Sequence, residues 1–343
     1  MNKIVVIFVL FLITISACKQ NTDKAQVKDA LQEKAVAIFG SLVPVAENPD
    51  NAVTDAKVVL GQALFFDKRL SKEQNISCNS CHNLNTYGVD NMKTSPGDDG
   101  TLGDRNSPTV LNAALHIAQF WDGRAHDVEE QAGGPVLNPV EMAMPSEKIV
   151  VERLNKVSGY KEMFAKAFPD ENDPINYSNM TKAIGAFERK LITPSKFDNY
   201  LAGDLQALSD EEKSGLQTFM DKGCITCHSG PLLGGTMFQK FGLFGNYWEY
   251  TQSKNIDEGK FKVTGEEADK YIFKVPSLRN IEKTFPYFHD GSISDLHESI
   301  SIMGKTQLNQ DISTEDLDKI ALFLKALTGE VPEQFTKAPE ISM

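Results

Sequence analysis

Two short segments of the chain combine a pair of cysteines with a histidine at the same spacing. They read "CNSCH" at residues 78–82 and "CITCH" at residues 224–228. Two thiols at this spacing can add to the two vinyl groups of a haem, and the adjacent histidine can bind its iron. Two copies exceed chance by far, because the chain has only five cysteines and six histidines. The pattern therefore predicts two covalently bound c-type haems.

The predicted attachment residues are Cys78, Cys81 and His82 for the first haem and Cys224, Cys227 and His228 for the second. Two other uses of such cysteines fit the sequence less well. A redox-active CxxC pair would follow a β-branched strand, and neither copy does. A structural zinc site needs four ligands, and the two copies lie too far apart in sequence to form a compact finger.

Residues 1–17 have the pattern of an export signal. Lys3 precedes the apolar run "IVVIFVLFLITISA", which has the length of a signal peptide rather than of a membrane-spanning helix. The run ends at Cys18 in a pattern typical of a bacterial lipobox, whose lipidated cysteine becomes the mature N-terminus. An ordinary signal peptide followed by a stray thiol is the alternative. Residues 18–45 are predicted to be a tether to a membrane surface.

The charge agrees with an exported redox protein. The formal net charge is −12, which opposes binding to nucleic acid and suits docking of a small basic redox partner. Four thioethers and one lipid would use all five cysteines, which leaves none for a disulfide. Because haem is attached to this motif outside the cytoplasm, we expect a lipid-anchored protein on the periplasmic side of the cell envelope.

The elements that must position these motifs are mainly helical. Helices are predicted over residues 54–67, 178–192, 209–223 and 313–329. Ser209 and Glu212 form a predicted capping box, and Gly329 is predicted to end the last of these helices. Long irregular loops are predicted at the glycine- and proline-rich stretches 88–108, 133–145 and 229–246. The expected fold is mainly α, with two cytochrome c-like haem domains over 46–203 and 204–343.

The two domains are predicted to be related by internal duplication. Residues 107–123 match residues 275–291 at a constant offset of 168. The shared residues are Pro108 and Pro276, Asn112 and Asn280, Phe120 and Phe288, Asp122 and Asp290, and Gly123 and Gly291. The same offset matches Asp127 with Asp295 and Glu130 with Glu298, and then sets Pro135 opposite Met303.

The mismatch of Pro135 with Met303 predicts different iron ligands for the two haems. The thioether of Met303 can be the second axial ligand of the second iron, which raises its reduction potential and suits electron transfer. Pro135 offers no ligand, so we expect the first iron to keep one face open to a small molecule. A core methionine is the alternative for Met303, and Met142 or Met144 could instead close the first iron.

An open iron beside an electron-delivering haem suggests reduction of a small oxidant, and peroxide is the obvious candidate. Cleaving its O–O bond requires an acid/base group that moves a proton to the leaving oxygen. The segment 128–142, "VEEQAGGPVLNPVEM", is expected to project Gln131 and Glu141 over the first iron. A surface carboxylate is the alternative for Glu141.

At this point the chain resembles the bacterial dihaem cytochrome c peroxidase family over almost its whole mature length. The matching stretches are "ISCNSCHNL", "RNSPTVLNA", "AQFWDGRA", "EEQAGGPVLNPVEM", "DKGCITCHSG", "KVPSLRNI", "PYFHDG" and "IMGKTQL". The resemblance implies that His82 is the proximal ligand of a low-potential peroxidatic haem. It also implies that His228 and Met303 bind a high-potential, electron-transferring haem.

The resemblance implies further site residues. Glu141 would be the acid/base group with Gln131 beside it, and Trp121 would lie between the haems in the electron path. His289 would lie near a haem without binding iron. A calcium ion between the domains would be bound by oxygens of Asn106, Thr284 and Pro286.

One position departs from the family pattern. Many relatives place a histidine ligand for the first iron in the loop at residues 94–106, where this chain has Asp98. A carboxylate is a poor substitute for imidazole on this iron. We therefore expect the peroxidatic haem to be five-coordinate or water-bound in the fully oxidised protein. Replacement of the missing ligand by His116 or His126 is the alternative.

The sequence thus predicts a peroxidase that reduces hydrogen peroxide to water with electrons from a small cytochrome c or a cupredoxin. One alternative is a related dihaem oxidase that modifies tryptophans of a partner protein, although its relatives have tyrosine in place of Met303. The other is an electron carrier without catalysis, in which both irons are closed. A homodimer is compatible with these features, and nucleic acid is not an expected partner.

Overall fold

The computed structural model describes residues 29–341, so the predicted signal peptide and Cys18 lie outside the described residues. Within this range the chain forms α-helices, long loops and one small two-stranded sheet. The prediction of a mainly α fold is confirmed. No helix in the described range is both long enough and apolar enough to cross a bilayer.

The α-helices are α1 (Ala30–Phe39), α2 (Asp55–Phe65), α3 (Cys78–Cys81), α4 (Val128–Leu137), α5 (Glu147–Asn155), α6 (Ser158–Ala167), α7 (Tyr177–Glu188), α8 (Lys196–Leu201), α9 (Asp210–Asp221), α10 (Tyr247–Thr251), α11 (Phe261–Thr264), α12 (Leu296–Leu308) and α13 (Thr314–Lys325). The strands β1 (Phe238–Lys240) and β2 (Ile272–Lys274) are antiparallel, with Phe238 opposite Lys274.

The four helices predicted from apolar spacing are present as α2, α7, α9 and α13. The capping box of Ser209 and Glu212 at the start of α9 is confirmed. The predicted role of Gly329 is wrong, because α13 already ends at Lys325. A Cβ at position 329 would lie 2.5 Å from the carbonyl oxygen of Thr193. This glycine is therefore required by a close approach of two chain segments and not by a helix end.

The predicted loop at residues 133–145 is partly helical. Helix α4 contains Pro135 in its last turn, so the i→i−4 hydrogen bond that proline cannot donate is lost near the end of the helix and not in its middle. Gly133 faces α7, and a Cβ there would lie 3.2 Å from side-chain atoms of that helix. The glycine therefore allows close packing of two helices, whereas the glycine and proline content of this stretch predicted a loop.

Two large apolar cores organise the helices. The first core is formed mainly by α2, α4, α5, α6 and α7, and the second by α1, α8, α9 and α13 with Ile300 of α12. One glycine allows the closest helix contact in each core. A Cβ at Gly61 of α2 would overlap the carbonyl oxygen of Ala183 in α7, and a Cβ at Gly215 of α9 would overlap that of Lys319 in α13. Each core is therefore built on one pair of helices in backbone contact.

A third, smaller core lies beside the β-sheet. It contains Phe241, Tyr247, Phe273, Tyr287, Ile293 and Ile302. His289 belongs to the same region, with its ring stacked on that of Phe273 at a centroid distance of 4.2 Å. Trp121 and Met303 pack against this core as half-buried side chains.

The two ends of the described chain exchange partners. Helix α1 buries Ala35 and Phe39 in the second core. The C-terminal segment packs on the first core, where Phe335 meets Phe187 at a centroid distance of 5.5 Å. The tether predicted over 18–45 therefore does not extend through α1. Asp29 caps this helix. Burial of its apolar side chains Ala35 and Phe39 stabilises α1 on the second core, whereas a solvated tether would leave them in water.

The matched segments adopt corresponding local conformations. Asn112 and Asn280 both have a φ of 60°. Each donates its side-chain amide to Oγ1 of Thr193, at 2.8 Å and 2.9 Å respectively. A β-bridge between Gln119 and Ala125 also has its counterpart between Tyr287 and Ile293. The agreement in sequence thus extends to backbone geometry.

The helices that follow these segments also correspond. Asp127 caps α4 and Asp295 caps α12, each through its side-chain oxygen. Pro135 and Met303 each lie eight residues after their capping aspartate. They therefore occupy the same position of two corresponding helices.

Candidate active site

The first haem motif opens into a cavity beside the first core. About 1200 Å³ of this cavity is free of protein atoms, including a part that is open to solvent. The cavity is lined by both cysteines and the histidine of the first motif, so a haem held by that motif would occupy it. Seven of the residues assigned from the sequence line it: Cys78, Cys81, His82, Asn106, Trp121, Gln131 and Glu141.

The cysteines of the first motif lie on a single helical turn, α3. A capping box formed by Ser77 and Ser80 lies at the start of this turn. Burial raises the pKa of Cys78 to about 12 and that of Cys81 to about 11. In the second motif burial raises the pKa of Cys224 to about 11. Redox-active and zinc-binding cysteines need the thiolate. Neutral buried thiols therefore argue against redox-active cysteines and are compatible with thioether formation.

Burial favours the neutral form of both motif histidines, and a hydrogen bond orients His228. Burial lowers the pKa of both His82 and His228, so each imidazole keeps a lone pair for a metal. Nδ1 of His228 lies 2.9 Å from the carbonyl oxygen of Leu233, which fixes the proton there and leaves Nε2 free to bind iron. Nδ1 of His82 is buried without a hydrogen-bond partner. Both motifs therefore carry the donor set that a haem requires.

Glu141 and Gln131 reach the same cavity from different elements. Gln131 lies in α4, and Glu141 lies in the turn that follows it, where its amide donates to the carbonyl oxygen of Asn138 at 3.0 Å. Oε2 of Glu141 is buried and has no hydrogen-bond partner. Burial raises the pKa of this carboxyl, although Arg124 and Asn138 oppose the shift. A carboxyl of this kind can hold a proton closer to neutral pH and release it to a bound molecule.

Trp121 connects the cavity with the third core. Its indole lines the cavity and also packs against the third core. Its Nε1 donates to the carbonyl oxygen of Asn106 at 2.8 Å, and its own carbonyl oxygen accepts from the amide of Lys274. The indole is thus fixed at the position where the two haem-binding parts of the chain meet.

The candidate axial ligands differ between the two parts. Met303 is half-buried in α12, whereas its counterpart Pro135 lines the cavity. Met142 also lines the cavity, and Met144 is buried in the first core. Neither of the remaining candidates, His116 and His126, is among the cavity-lining residues, and Nδ1 of His116 is bonded to Nζ of Lys274 at 2.8 Å.

The three residues expected to bind calcium are Asn106, Thr284 and Pro286, and the side-chain amide of Asn106 is hydrogen-bonded. The side-chain amide of Asn106 donates to the carbonyl oxygen of Met92 at 3.0 Å. Thr284 and Pro286 lie within the second matched segment, residues 275–291. Between residues 29 and 341, no group of three or more histidine, cysteine, aspartate or glutamate side chains is arranged to hold a metal ion. Calcium bound by amide, hydroxyl and carbonyl oxygens stays a prediction.

Sequence reasoning missed the charged wall of the cavity. Arg105 lines it and donates to Asp122 at 2.5 Å and to Asp257 at 2.6 Å. Glu188 lines it as well, and burial, together with the charge of Glu129, raises the pKa of Glu188 to about 8. Single buried charges leave no periodic signal. The repeat of Asp122 as Asp290 was the one available hint.

Comparison with known proteins agrees with this geometry. Residues 55–206 match the family described as di-haem cytochrome c peroxidase. The cytochrome c551 peroxidase of Nitrosomonas europaea is 46% identical over 305 residues, covering 87% of this chain and 89% of that protein. The cytochrome c551 peroxidase of Pseudomonas aeruginosa is 43% identical over 306 residues, covering 89% and 88%.

A solved structure is also similar. The crystal structure of a MauG-like protein associated with microbial copper homeostasis gives a TM-score of 0.76 at 28% identity, and the match covers 87% of this chain and 95% of that one. With two haem motifs and close relatives matched over most of their length, this chain belongs to the di-haem cytochrome c peroxidase family, which uses two haem cofactors.

Proposed function

We propose that the protein reduces hydrogen peroxide to water with two electrons from a small cytochrome c or a cupredoxin. The observation that carries this proposal is the carboxyl of Glu141, whose buried Oε2 has no partner in the cavity that contains the first haem motif. A non-catalytic carrier would have no use for such a group.

Two covalently attached c-type haems would be held by the two motifs. His82 would bind the peroxidatic iron, and His228 and Met303 would bind the electron-transferring iron. When bound, the haems supply the peroxide-binding iron and the electrons. The position of Pro135, which has no ligating atom and lines the cavity, supports an open face in the first site.

The residues of the chain handle the protons. The reaction H₂O₂ + 2H⁺ + 2e⁻ → 2H₂O consumes two protons. Glu141 can take a proton from one peroxide oxygen and return it to the other. The side-chain amide of Gln131, which both donates and accepts hydrogen bonds, can orient the peroxide beside it. Trp121 offers a buried aromatic link between this cavity and the third core, which contacts Met303.

Several finer features belong to the same proposal. We infer export and lipidation at Cys18, which lies outside the described residues, and therefore a position on the periplasmic side of a membrane. We also infer a calcium ion bound by Asn106, Thr284 and Pro286, and an internal duplication of one haem-binding unit. The duplication is supported by the corresponding backbone geometry around the matched asparagines.

The oxidised first haem is expected to lack a protein ligand on its open face. The carboxylate of Asp98 is bonded to the amide of Glu73 and is not among the cavity-lining atoms. Electron paramagnetic resonance of the fully oxidised protein should therefore show a high-spin or water-bound haem beside a low-spin one. A spectrum of two purely low-spin haems would contradict this expectation.

The test of the proposed function is Glu141→Gln in the haem-loaded protein. We expect kcat/KM for peroxide to fall by about 10²- to 10⁴-fold, while reduction of the second haem by the donor is unchanged. Glu147→Gln changes an exposed carboxyl six residues away and should leave turnover intact. Full peroxide turnover in Glu141→Gln would favour an electron carrier or another acid/base group.

A dihaem oxidase is the competing enzyme. Its relatives have a tyrosine where this chain has Met303, and a thioether cannot supply a phenolate ligand. Spectra of a Met303→Ala variant would distinguish the two, because loss of a methionine ligand changes the spin state of the second haem. An unchanged spectrum would remove Met303 as a ligand and with it the argument against the oxidase.

A further inference from the structure

Asp98 lies in backbone contact with the turn that carries Glu141. The amide of Asp98 donates to the carbonyl oxygen of Glu141 at 2.7 Å. The preceding residue, Gly97, has no side chain, and a Cβ there would overlap the carbonyl oxygen of Val140. The loop around Asp98 and the turn around Glu141 are therefore in close backbone contact, and separating them would break this hydrogen bond.

The other side of Asp98 is fixed to the segment before the first haem motif. Its two carboxylate oxygens lie 3.0 Å and 3.1 Å from the amide of Glu73. Its carbonyl oxygen accepts from Nδ2 of Asn75 at 2.7 Å. The amide of Lys72 in turn donates to the carbonyl oxygen of Met142 at 2.9 Å. Residues 72–75, 97–98 and 140–142 are thus joined in a ring of hydrogen bonds.

The side chain of Asp98 is suited to this position. It is only 5% exposed, and a carboxylate that accepts from a backbone amide forms a stronger bond than a neutral acceptor does. Oε2 of Glu141, by contrast, has no hydrogen bond of its own. The carboxyl interacts with the side chain of Asn138 in the same turn, so its direction is set by this turn, whose backbone Asp98 holds.

We propose that Asp98 is a positioning residue that holds Glu141 in one orientation over the cavity, through its amide on one side and its carboxylate on the other. The proposal rests on the function of Glu141 proposed above. Placement matters because a displacement of about 1 Å between reacting groups can cost roughly 10²-fold in rate. Asp98 acts through Glu141 and does not itself touch the substrate.

The test is a double-mutant cycle in the haem-loaded protein. Asp98→Ala should lower kcat/KM for peroxide at least tenfold, whereas Asp98→Asn, which keeps an acceptor oxygen, should stay within about threefold of the wild type. Asp99→Ala is the matched control, because Asp99 is the adjacent, exposed aspartate and its carboxylate accepts from Thr101 within the same loop. If Asp98 acts through Glu141, adding Asp98→Ala to Glu141→Gln should cause no further loss.

Hydrogen exchange gives a readout that does not depend on turnover. The amides of residues 72, 73 and 98 should exchange at least tenfold faster in Asp98→Ala than in Asp99→Ala. If Asp98→Ala is isolated without haem, Asn75→Ala replaces it in the cycle. This change removes the 2.7 Å bond to the Asp98 carbonyl oxygen and, besides it, only a long 3.4 Å bond from Oγ of Ser71.

Two results would overturn the proposal. One is an Asp98→Ala protein with turnover within threefold of the wild type. The other is that Asp98→Ala lowers kcat/KM in the Glu141→Gln background by the same factor as in the wild type. Failure of the function proposed for Glu141 is recognised separately, since Glu141→Gln alone would then keep full activity.

Discussion

Arg105 joins the cavity wall to the part of the chain beyond the second haem motif through buried ion pairs. Its Nε and Nη2 donate to the carboxylate of Asp257 at 2.6 Å and 3.1 Å, and its Nη1 donates to Asp122 at 2.5 Å. The side chains are 16%, 7% and 6% exposed, in the same order. Replacing Arg105 by methionine would leave two buried carboxylates without their main cation.

The size of the effect follows from this burial. Breaking a buried ion pair by removing one partner costs about 3–5 kcal/mol. Arg105→Met should lower the free energy of unfolding by about 3 kcal/mol, the lower end of this range, because Arg124 stays 3.1 Å from Asp122 and Lys262 stays 3.1 Å from Asp257. Asp257→Asn should cost less, because the remaining acceptor oxygen can keep the amide bond from Gly259 at 3.0 Å. The coupling energy between the two changes should be about 2 kcal/mol or more.

The assay is urea unfolding of the wild type, both single variants and the double variant, each loaded with haem. The control is the pair of Lys166 and Glu162, which has a similar N–O distance of 2.7 Å but side chains that are 68% and 71% exposed. Its coupling energy should not exceed about 0.5 kcal/mol. A coupling between Arg105 and Asp257 as small as that of the surface pair would refute the reasoning.

The pH dependence has a definite sign. Burial raises the pKa of Asp257, but the hydrogen bonds and charge of Arg105 outweigh it and hold this pKa below its usual range. The stabilisation is therefore fully present above the unfolded-state pKa of about 3.9. It is lost as the pH falls further, because the unfolded chain then binds a proton at Asp257 that the folded protein still excludes. The difference between wild type and Arg105→Met should accordingly shrink below about pH 4.

Gly61→Ala should destabilise the protein by about 3 kcal/mol or more in urea unfolding, because the new Cβ would overlap the carbonyl oxygen of Ala183 and force α2 away from α7. Gly134→Ala is its control, since that Cβ would meet only Phe120 at 3.7 Å, and it should be neutral or stabilising by about 0.5–1 kcal/mol; equal effects would contradict the packing argument. Burial lowers the pKa of Lys274 to about 7, so the unfolded chain binds more protons above that pH. Wild-type stability should rise by up to about 1.4 kcal/mol per pH unit between pH 7 and 10, and Lys274→Met should lack this rise; parallel profiles would rule it out.

Local signals in the sequence were sufficient for the haem motifs and the main helices. The capping box at Ser209 depends on residues within one turn, and the match of Asn112 with Asn280 reflects a backbone conformation that is repeated. Gly329 and Gly133 were misread because a glycine looks the same whether a turn or a neighbouring segment requires it. Only the folded chain shows which neighbour comes within contact distance.

The site divides in the same way. The acid/base candidate Glu141 could be located from its place after the first haem motif, and the structure brings it to the cavity with Gln131. The roles of Asp98 and Arg105 could not be inferred, because their partners lie 25 and 152 residues away along the chain. Hydrogen bonds over such separations depend on tertiary structure, and no local pattern of residue types encodes them.

The exchange of chain ends has a consequence for how the molecule is completed. Nε2 of Gln62 in the first core donates to the carbonyl oxygens of Gln334 and Lys337 at 2.6 Å and 2.7 Å, while α1 is buried in the second core. The first core is therefore completed by residues 334–337, which follow both haem motifs, and the second core needs α1, which precedes both. Severing the polypeptide between residues 203 and 204 would yield two fragments that each lack a piece carried by the other, so the halves should be recoverable only as a reassembled pair.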